Sequence, residues 1–149
     1  HKYYGDNTTY YGRAPGFYKD AGEWFVKKKD KMIGSDTQAL DHLLATAIGP
    51  HGPGRPNGLM PDICAEYERK TGRKVLQDFP EWEHCHNAIL SAGILGFGNV
   101  GVDIDKVTGK RVTFASFPWR WTKGDGCIVR LVAMLDPSGD YRIAKGSAK

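Results

Sequence analysis

Cysteine and long apolar runs are both scarce in this chain, and each scarcity narrows what the protein can be. The three cysteines, Cys64, Cys85 and Cys127, lie far apart and form no C-x-x-C pair, so neither a zinc ribbon nor a disulfide framework is predicted. We expect free thiols in a reducing compartment. The longest apolar stretch, residues 88–102, is interrupted by four glycines, which argues against a membrane-spanning helix. With no signal-peptide pattern at its start, the chain is expected to be cytoplasmic.

Two catalytic signatures and one binding signature are also missing. No G-x-S-x-G is present, which argues against the serine nucleophile of an α/β-hydrolase. Residues 122–126 lack the P-loop pattern and are interpreted as a β-turn rather than as a phosphate cradle. The net charge of +4 comes largely from lysine-rich stretches such as Lys27 to Lys29. We identify no basic stripe interleaved with aromatic residues after them. Nucleic acid is therefore not an expected partner.

The composition is that of a folded protein, since 40% of the 149 residues are apolar and 26% are charged. Helical and strand-like patterns alternate through the first two thirds of the chain: a helix from Tyr18, a strand at 31–34, a helix at 83–91 and a strand at 94–97. Two β-branched, apolar stretches, 111–119 and 127–135, then flank a turn and predict a hairpin.

Loops account for most of the remainder. Residues 1–17 have the composition of a loop, and residues 41–58 contain Gly-Pro-His-Gly-Pro-Gly-Arg-Pro, which excludes regular structure. A helical stripe follows from Met60 to Tyr67. No linker divides the chain, so we predict a single α/β domain over residues 1–149, with a mixed sheet and a loop insertion at about 42–81.

Two histidines stand close together in the segment Trp82-Glu83-His84-Cys85-His86. Histidines with a nearby glutamate can hold a transition metal. On a helix, however, residues two apart do not share a face, so at most one of the two points into a site. A structural role for either histidine is the alternative to ligation.

A polar cluster, residues 34–42, follows the predicted strand at 31–34. The carboxyl end of a buried strand is where α/β proteins place ligands and catalytic groups. The alternative is that Asp36 and Thr37 cap a loop and the next helix. The residues alone favour neither interpretation.

Further short motifs occur in a fixed order along the chain. They are Tyr4-Gly5, Ala14-Pro15-Gly16-Phe17, the helix from Ala21 to Phe25, Met32-Ile33-Gly34-Ser35-Asp36-Thr37 with Asp41, His86 to Ile94, Phe117-Pro118, and Gly124-Asp125-Gly126-Cys127-Ile128-Val129-Arg130. In this order they resemble the C-terminal half of the cyclase family, which includes bacterial kynurenine formamidases and isatin hydrolase. The family's corresponding patterns are D-T-x-x-x-D, H-x-x-L-L-x-x-G-V, L-P and G-D-G-S-P-V-R. The resemblance covers most of the chain except residues 42–81.

The resemblance implies a swivelling β/β/α domain that hydrolyses amide bonds at a divalent metal ion, zinc or manganese. The family holds that ion chiefly through an upstream H-x-G-T-H-x-D-x-P-x-H motif, which this chain lacks. A partner subunit that carries the motif is therefore implied, and the domain is incomplete without it. We expect the apolar segment 88–102 and the aromatic N-terminal loop to pack on this partner in an obligate heteromer.

One departure from the family pattern concerns the second metal site. The formamidases place a glutamate ligand twelve residues after the histidine that matches His86, and this chain has Gly98 there. Because glycine has no side chain that could bind a metal, a single-metal site is the remaining expectation.

Taken together, the sequence predicts a subunit of a hydrolase that opens an amide, cyclic amide or lactone bond of a small molecule with metal-activated water. His86 is the candidate metal ligand or general acid/base. Asp36 is the second candidate catalytic residue, expected to brace the site. Trp82, Phe97 and His51 are predicted to line the substrate pocket. The competing hypothesis is a non-catalytic scaffold or regulatory subunit of a homologous hydrolase, with the missing glutamate as the trace of lost chemistry.

Overall fold

A computed structural model of the chain describes residues 5–46, 63–101 and 103–135. It mixes helices and strands, as predicted for an α/β protein. The chain divides into two compact units, His1–Gly101 and Val102–Lys149, although the sequence contains no recognisable linker. None of the described helices is long and apolar enough to cross a membrane.

The first unit contains five α-helices and two short strands among its described residues. In chain order these are α1 (Asn7–Gly12), α2 (Lys19–Lys28), β1 (Met32–Gly34), α3 (Ile63–Thr71), α4 (Val75–Asp78), α5 (His84–Ser91) and β2 (Leu95–Phe97), with a 3-10 helix at Leu43–Ala45. The predicted helices from Tyr18 and at 83–91 and the predicted strands at 31–34 and 94–97 are therefore confirmed, each within one residue at the ends that were predicted.

Two segments of this unit that were predicted as loops are partly helical in their described parts. Residues 1–17 were expected to form a loop, but Asn7–Gly12 is a helix whose N-terminus is capped, since the Asp6 carboxylate accepts a hydrogen bond from the Thr9 amide. In the insertion at 42–81, α3 confirms the helical stripe predicted from Met60 to Tyr67 over its described residues, whereas the 3-10 helix and α4 were not predicted. A six-residue and a four-residue helix give too little periodicity to be found by spacing alone.

The parallel pair β1–β2 and the helices α2 and α5 enclose the main core. Met32 pairs with Leu95 and Gly34 with Phe97, which leaves the central Ile33 facing the helices. The buried members of this core are Ile33, Leu40, Cys85, Ile89 and Ile94, with Phe17 and Phe25 packed against them. A second cluster lies around α3 and α4 and contains Leu43, Leu44, Ile63 and Val75.

Two glycines permit close approaches that set the geometry of this core. A Cβ atom on Gly22 of α2 would lie 3.1 Å from the Cα atom of Cys85 on α5, so the two helices pack at short range. A Cβ atom on Gly16 would lie 2.4 Å from the carbonyl oxygen of Asp41, a distance that no side chain tolerates. The backbone of Gly16 therefore rests directly on that of Asp41.

Hydrogen bonds of Phe17 hold the same backbone on both sides of Asp41. The Phe17 amide donates to the Leu40 carbonyl, and the His42 amide donates to the Phe17 carbonyl, both at 2.7 Å. Phe17 and Asp41 thus form an isolated parallel bridge. Together with the Gly16 contact, this bridge fixes the position of Asp41 from one side.

The second unit is dominated by an antiparallel hairpin, as the sequence predicted. Strand β3 (Thr113–Pro118) pairs with β4 (Val129–Met134), with Thr113 opposite Met134 and Pro118 opposite Val129. The expected mixed sheet is not formed among the described residues. The parallel pair β1–β2 and the antiparallel pair β3–β4 belong to separate two-stranded sheets.

The Gly16 contact predicts an unusually costly alanine substitution. Gly16→Ala should lower the free energy of unfolding by about 1–3 kcal/mol or more, because the added methyl group must displace the Asp41 backbone. Gly98→Ala is the matched control, since a Cβ atom there would meet its nearest neighbour at 3.5 Å. It should change the free energy of unfolding by no more than about 0.5 kcal/mol. Urea denaturation at low protein concentration, followed by tryptophan fluorescence, measures both, and equal effects would contradict the packing described.

Candidate active site

A buried polar contact of the first unit joins Asp41 to the N-terminus of α5. One carboxylate oxygen of Asp41 accepts a hydrogen bond from the Cys85 amide at 2.7 Å, and the other accepts one from the His86 amide at 3.0 Å. The residue preceding the helix, Glu83, provides no side-chain cap. Asp41 therefore caps α5 from a distant part of the chain, where a negative charge also interacts favourably with the helix dipole.

The carboxylate of Asp41 is fully buried, and its third hydrogen-bond partner is the ring of His86. Nδ1 of His86 lies within hydrogen-bond distance of the oxygen that accepts the His86 amide. A carboxylate can only accept, so the proton of this bond belongs to Nδ1. In the neutral ring the lone pair is then on Nε2, to which none of the described residues makes a hydrogen bond.

The surroundings of His86 combine partial exposure with a raised pKa. Its side chain is 31% exposed, and Nε2 is not among the buried, unpartnered polar atoms of the described residues, so it is accessible to a ligand while Asp41 holds Nδ1. The hydrogen bond to Asp41 raises the pKa of His86 above its ordinary value of 6.5, and partial burial opposes that rise. An imidazole with one nitrogen fixed by a carboxylate and the other accessible can bind a metal ion or transfer a proton near neutral pH.

Cys85, which precedes His86, is excluded from this chemistry. The thiol is completely buried in the main core. Burial raises the pKa of Cys85 to about 12, and the charge of Asp41 adds to this effect. A thiol that stays protonated is a poor nucleophile and a poor metal ligand, so Cys85 serves as an apolar core residue.

The other two histidines of the described site have structural contacts. His84 lies on a different face of α5 from His86, and its Nε2 is 2.9 Å from an oxygen of Glu81. His42 stacks on Phe79 at 4.4 Å between ring centroids, and its Nδ1 accepts a hydrogen bond from the Leu44 amide. Burial lowers the pKa of His42, so this ring favours the neutral form.

No hydrogen bond or ion pair joins His86 to Asp36, the second catalytic candidate. It is half-buried and makes no ion pair with His86, whose carboxylate partner is Asp41. Its neighbours form a local network in which the hydroxyls of Ser35 and Thr37 are 2.8 Å apart and the Thr37 hydroxyl donates to the Ala39 carbonyl. A bracing role for Asp36 at the end of β1 stays a prediction.

Phe97, Trp82 and His51 were predicted to line a substrate pocket. Phe97 is half-buried at the end of β2, where its carbonyl accepts a hydrogen bond from the Ser35 amide. Trp82 is 39% exposed just before α5. Neither ring contacts the His86 ring, and His51 lies outside the described residues. Their role in lining a substrate pocket stays a prediction.

The described side chains provide few ligands that could bind one metal ion together. Within residues 5–46, 63–101 and 103–135, no group of three His, Cys, Asp or Glu side chains is arranged to hold an ion. Of the residues around Asp41, only His86 has a ring nitrogen that is both accessible and oriented by a second-sphere carboxylate. The residues present therefore fit one ligand position.

Comparison of the chain with protein-family models, with curated proteins and with solved structures gives no match. The resemblance to the cyclase family accordingly rests on the motifs in the sequence.

The residue that sequence reasoning underrated is Asp41. In the sequence, Asp41 is the final residue of the D-T-x-x-x-D pattern and has no predicted role. The structure makes it the partner of His86. Two signals were present: α5 begins at Glu83 and His84 without one of the usual capping residues, and a lone aspartate follows Leu40 in an apolar stretch. Neither signal specifies which helix the aspartate caps.

Replacing Asp41 by asparagine tests the pair directly. In Asp41→Asn the pKa of His86, followed by NMR titration, should fall below the wild-type value because an amide cannot stabilise the imidazolium ion by its charge. The loss of the charged cap should also lower the free energy of unfolding by about 1 kcal/mol or more.

The pH dependence of that loss has a definite sign. The folded-state pKa of His86 is raised above the unfolded value, so the stabilisation is complete below about pH 6.5 and disappears as the pH rises through the folded-state pKa. The stability difference between the wild type and Asp41→Asn should therefore be larger at pH 6 than at pH 9. An unchanged His86 pKa, or a difference that grows with pH, would contradict the assigned pair.

Proposed function

We propose that this chain is a subunit of a metal-dependent hydrolase and that it supplies His86 to an active site completed by a partner chain. The substrate class is a small molecule with an amide, cyclic amide or lactone bond. The observation that carries the proposal is the pair formed by the buried Asp41 carboxylate and the partly exposed His86 ring. The motif order in the sequence supplies the reaction type and suggests a domain of the swivelling β/β/α type.

The proposed role of His86 follows from the state of its two nitrogens. Asp41 holds Nδ1 and thereby fixes both the tautomer and the orientation of the ring, as carboxylates do behind many metal-binding histidines. Nε2 would then serve either as a metal ligand or as the group that transfers a proton to the leaving nitrogen or oxygen. A raised pKa suits the second role, because it favours the protonated ring that donates a proton to a leaving group.

The metal ion, zinc or manganese, would be held mainly by the H-x-G-T-H-x-D motif of the partner. When bound, such an ion lowers the pKa of a water molecule and polarises the scissile carbonyl. The residues of this chain would orient His86 and stabilise the positive charge that the ring acquires when it takes up a proton.

Exposed apolar side chains of the first unit support the proposed heteromer. Met32 and Leu95, which pair across β1 and β2, are 46% and 57% exposed, and Leu90 on α5 is 55% exposed. Parallel sheets are normally covered on both faces. Here Ile33 packs on the main core, whereas Met32 and Leu95 point away from it and remain uncovered.

The competing proposal, a non-catalytic scaffold or regulatory subunit, is favoured by Gly98 alone. The surroundings of Gly98 do not demand glycine, since an added Cβ atom would meet only the Gln38 and Thr37 carbonyl groups at 3.5 Å or more. The absence of the expected glutamate is therefore not imposed by packing, and a one-metal hydrolase and an inactive relative both remain consistent with it.

Substitution of His86 in the purified complex separates the two proposals. His86→Ala should reduce hydrolysis of an amide or lactone substrate by about 10²–10⁴-fold, and Asp41→Asn should reduce activity or metal affinity by about 10–100-fold. His84→Ala is the matched control because it removes a histidine of the same helix from another face, and it should retain activity. Metal analysis of each complex accompanies the rates. Equal metal content and equal activity in the wild type and His86→Ala would favour the scaffold.

Restoring the missing carboxylate provides a second test. Gly98→Glu should allow the complex to bind one more manganese ion per active site than the wild type, since the backbone there accepts a side chain without a clash. Gly98→Ala serves as the control, because it adds the Cβ atom without a ligand and should leave the metal content unchanged. Identical metal content in Gly98→Glu and Gly98→Ala would show that position 98 does not face the metal site.

A further inference from the structure

The hairpin β3–β4 exposes apolar surface on both of its faces. None of the described residues from 103 to 135 is buried. Phe117 and Val132, on one face, are 60% and 38% exposed, and Phe114, on the other face, is 47% exposed. A two-stranded hairpin is at best marginally stable in water without further strands or a packed layer. This hairpin therefore needs a further packed surface to be stable.

Its outer edges are open as well. The backbone hydrogen bonds that the described residues make outside their own helices and strands include none to Thr113–Pro118 or Val129–Met134. Each strand thus presents one row of N–H and C=O groups without a partner from the described part of the chain. Such edges are templates for an added β-strand.

The charges around the hairpin have one predominant sign. Five cations and one carboxylate, Asp125, lie between residues 110 and 135, and all six side chains are exposed. The cations are Lys110, Arg111, Arg120, Lys123 and Arg130. None of the five forms an ion pair with a described residue. A surface that complements the hairpin must therefore be acidic as well as apolar.

We infer that the hairpin β3–β4 docks on a partner protein by pairing with an acidic, apolar β-strand of that protein. The strand adds to an open edge, its apolar side chains cover one face of the hairpin, and its carboxylates pair with the cations. Arg130 pairs directly with Phe117 across the two strands, so a cation and an aromatic ring lie side by side on one face of the hairpin. This inference does not depend on the hydrolase proposal, since it concerns a unit that contains neither Asp41 nor His86.

Three other occupants fit the surface less well. A second copy of the hairpin would bring five cations against five cations, which is unfavourable. The segment from Phe117 to Lys123 interleaves aromatic and basic residues, contrary to the expectation that no such stripe is present, and this pattern is typical of single-strand binding. Nucleic acid, however, would leave the open backbone edges unpaired. An anionic membrane would do the same.

A synthetic strand tests the inference with the intact chain. The probe is a capped octapeptide in which glutamate alternates with valine and isoleucine, and the control peptide has lysine in place of glutamate. The acidic peptide should bind, slow the amide hydrogen exchange of 113–118 or 129–134, and lose affinity as salt is added. The lysine peptide should bind at least about tenfold more weakly.

Matched variants identify the residues responsible. Arg130→Glu should weaken binding of the acidic peptide by about tenfold or more, whereas Lys106→Glu, which makes the same change of charge in the same unit but outside the hairpin, should not. Phe117→Thr should also weaken binding while it retains a residue that favours strands. Cross-strand NMR contacts between Thr113 and Met134 show whether the hairpin itself is intact in each variant.

The remaining outcomes overturn the inference. They are equal binding of both peptides, binding without protection of either strand, or no binding at about 1 mM peptide. Oligothymidylate or phosphatidylserine vesicles that protect the hairpin better than the acidic peptide would assign the surface to nucleic acid or membrane. A concentration-dependent dimer that Arg130→Glu strengthens would assign it to a second copy of the chain.

Discussion

The first unit depends on the hydrogen bonds that the buried Asp41 carboxylate accepts. A buried charge is costly unless its hydrogen-bond capacity is filled. Asp41 meets that requirement with the Cys85 and His86 amides and with the His86 ring, so three hydrogen bonds from α5 converge on one side chain. The helix α5 gains its cap, the segment after β1 gains its anchor, and His86 gains a fixed orientation from the same group. Removing the Asp41 carboxylate would therefore remove the hydrogen bonds on which all three depend.

The backbone on the far side of Asp41 is equally constrained. Gly16 has no room for a side chain against the Asp41 carbonyl, and the two hydrogen bonds of Phe17 hold the residues on either side. Because a buried group that cannot move keeps its partner in place, the position of the His86 ring is set by residues far from it in sequence. Such rigid support is what a catalytic or metal-binding histidine requires.

Much of the fold could be predicted because its elements are strongly patterned. The aromatic spacing of α2, the Lys-rich end of that helix and the β-branched runs of β3 and β4 each specify a local structure. The short helices α1 and α4 were missed because a few residues carry almost no periodicity. The separation of the parallel and antiparallel pairs into two sheets depends on tertiary contacts, which local pattern does not encode. For the candidate site, the sequence indicated His86 by motif, but the choice of Asp41 rather than Asp36 as its partner depends on the path of the chain between β1 and α5.

The central claim is that His86 uses Nε2 at the active site while Asp41 holds Nδ1, and nitrogen NMR of the complex with ¹⁵N-labelled histidine tests it most directly. In the metal-free complex at high pH the account predicts a protonated Nδ1 and an unprotonated Nε2 for His86. Nδ1 should stay protonated when zinc is added, and the Nε2 resonance should shift if Nε2 is the metal ligand rather than the proton-transfer group. In Asp41→Asn the preference for the Nδ1-protonated tautomer should weaken. A His86 ring whose proton resides on Nε2, before or after zinc is added, would contradict the account.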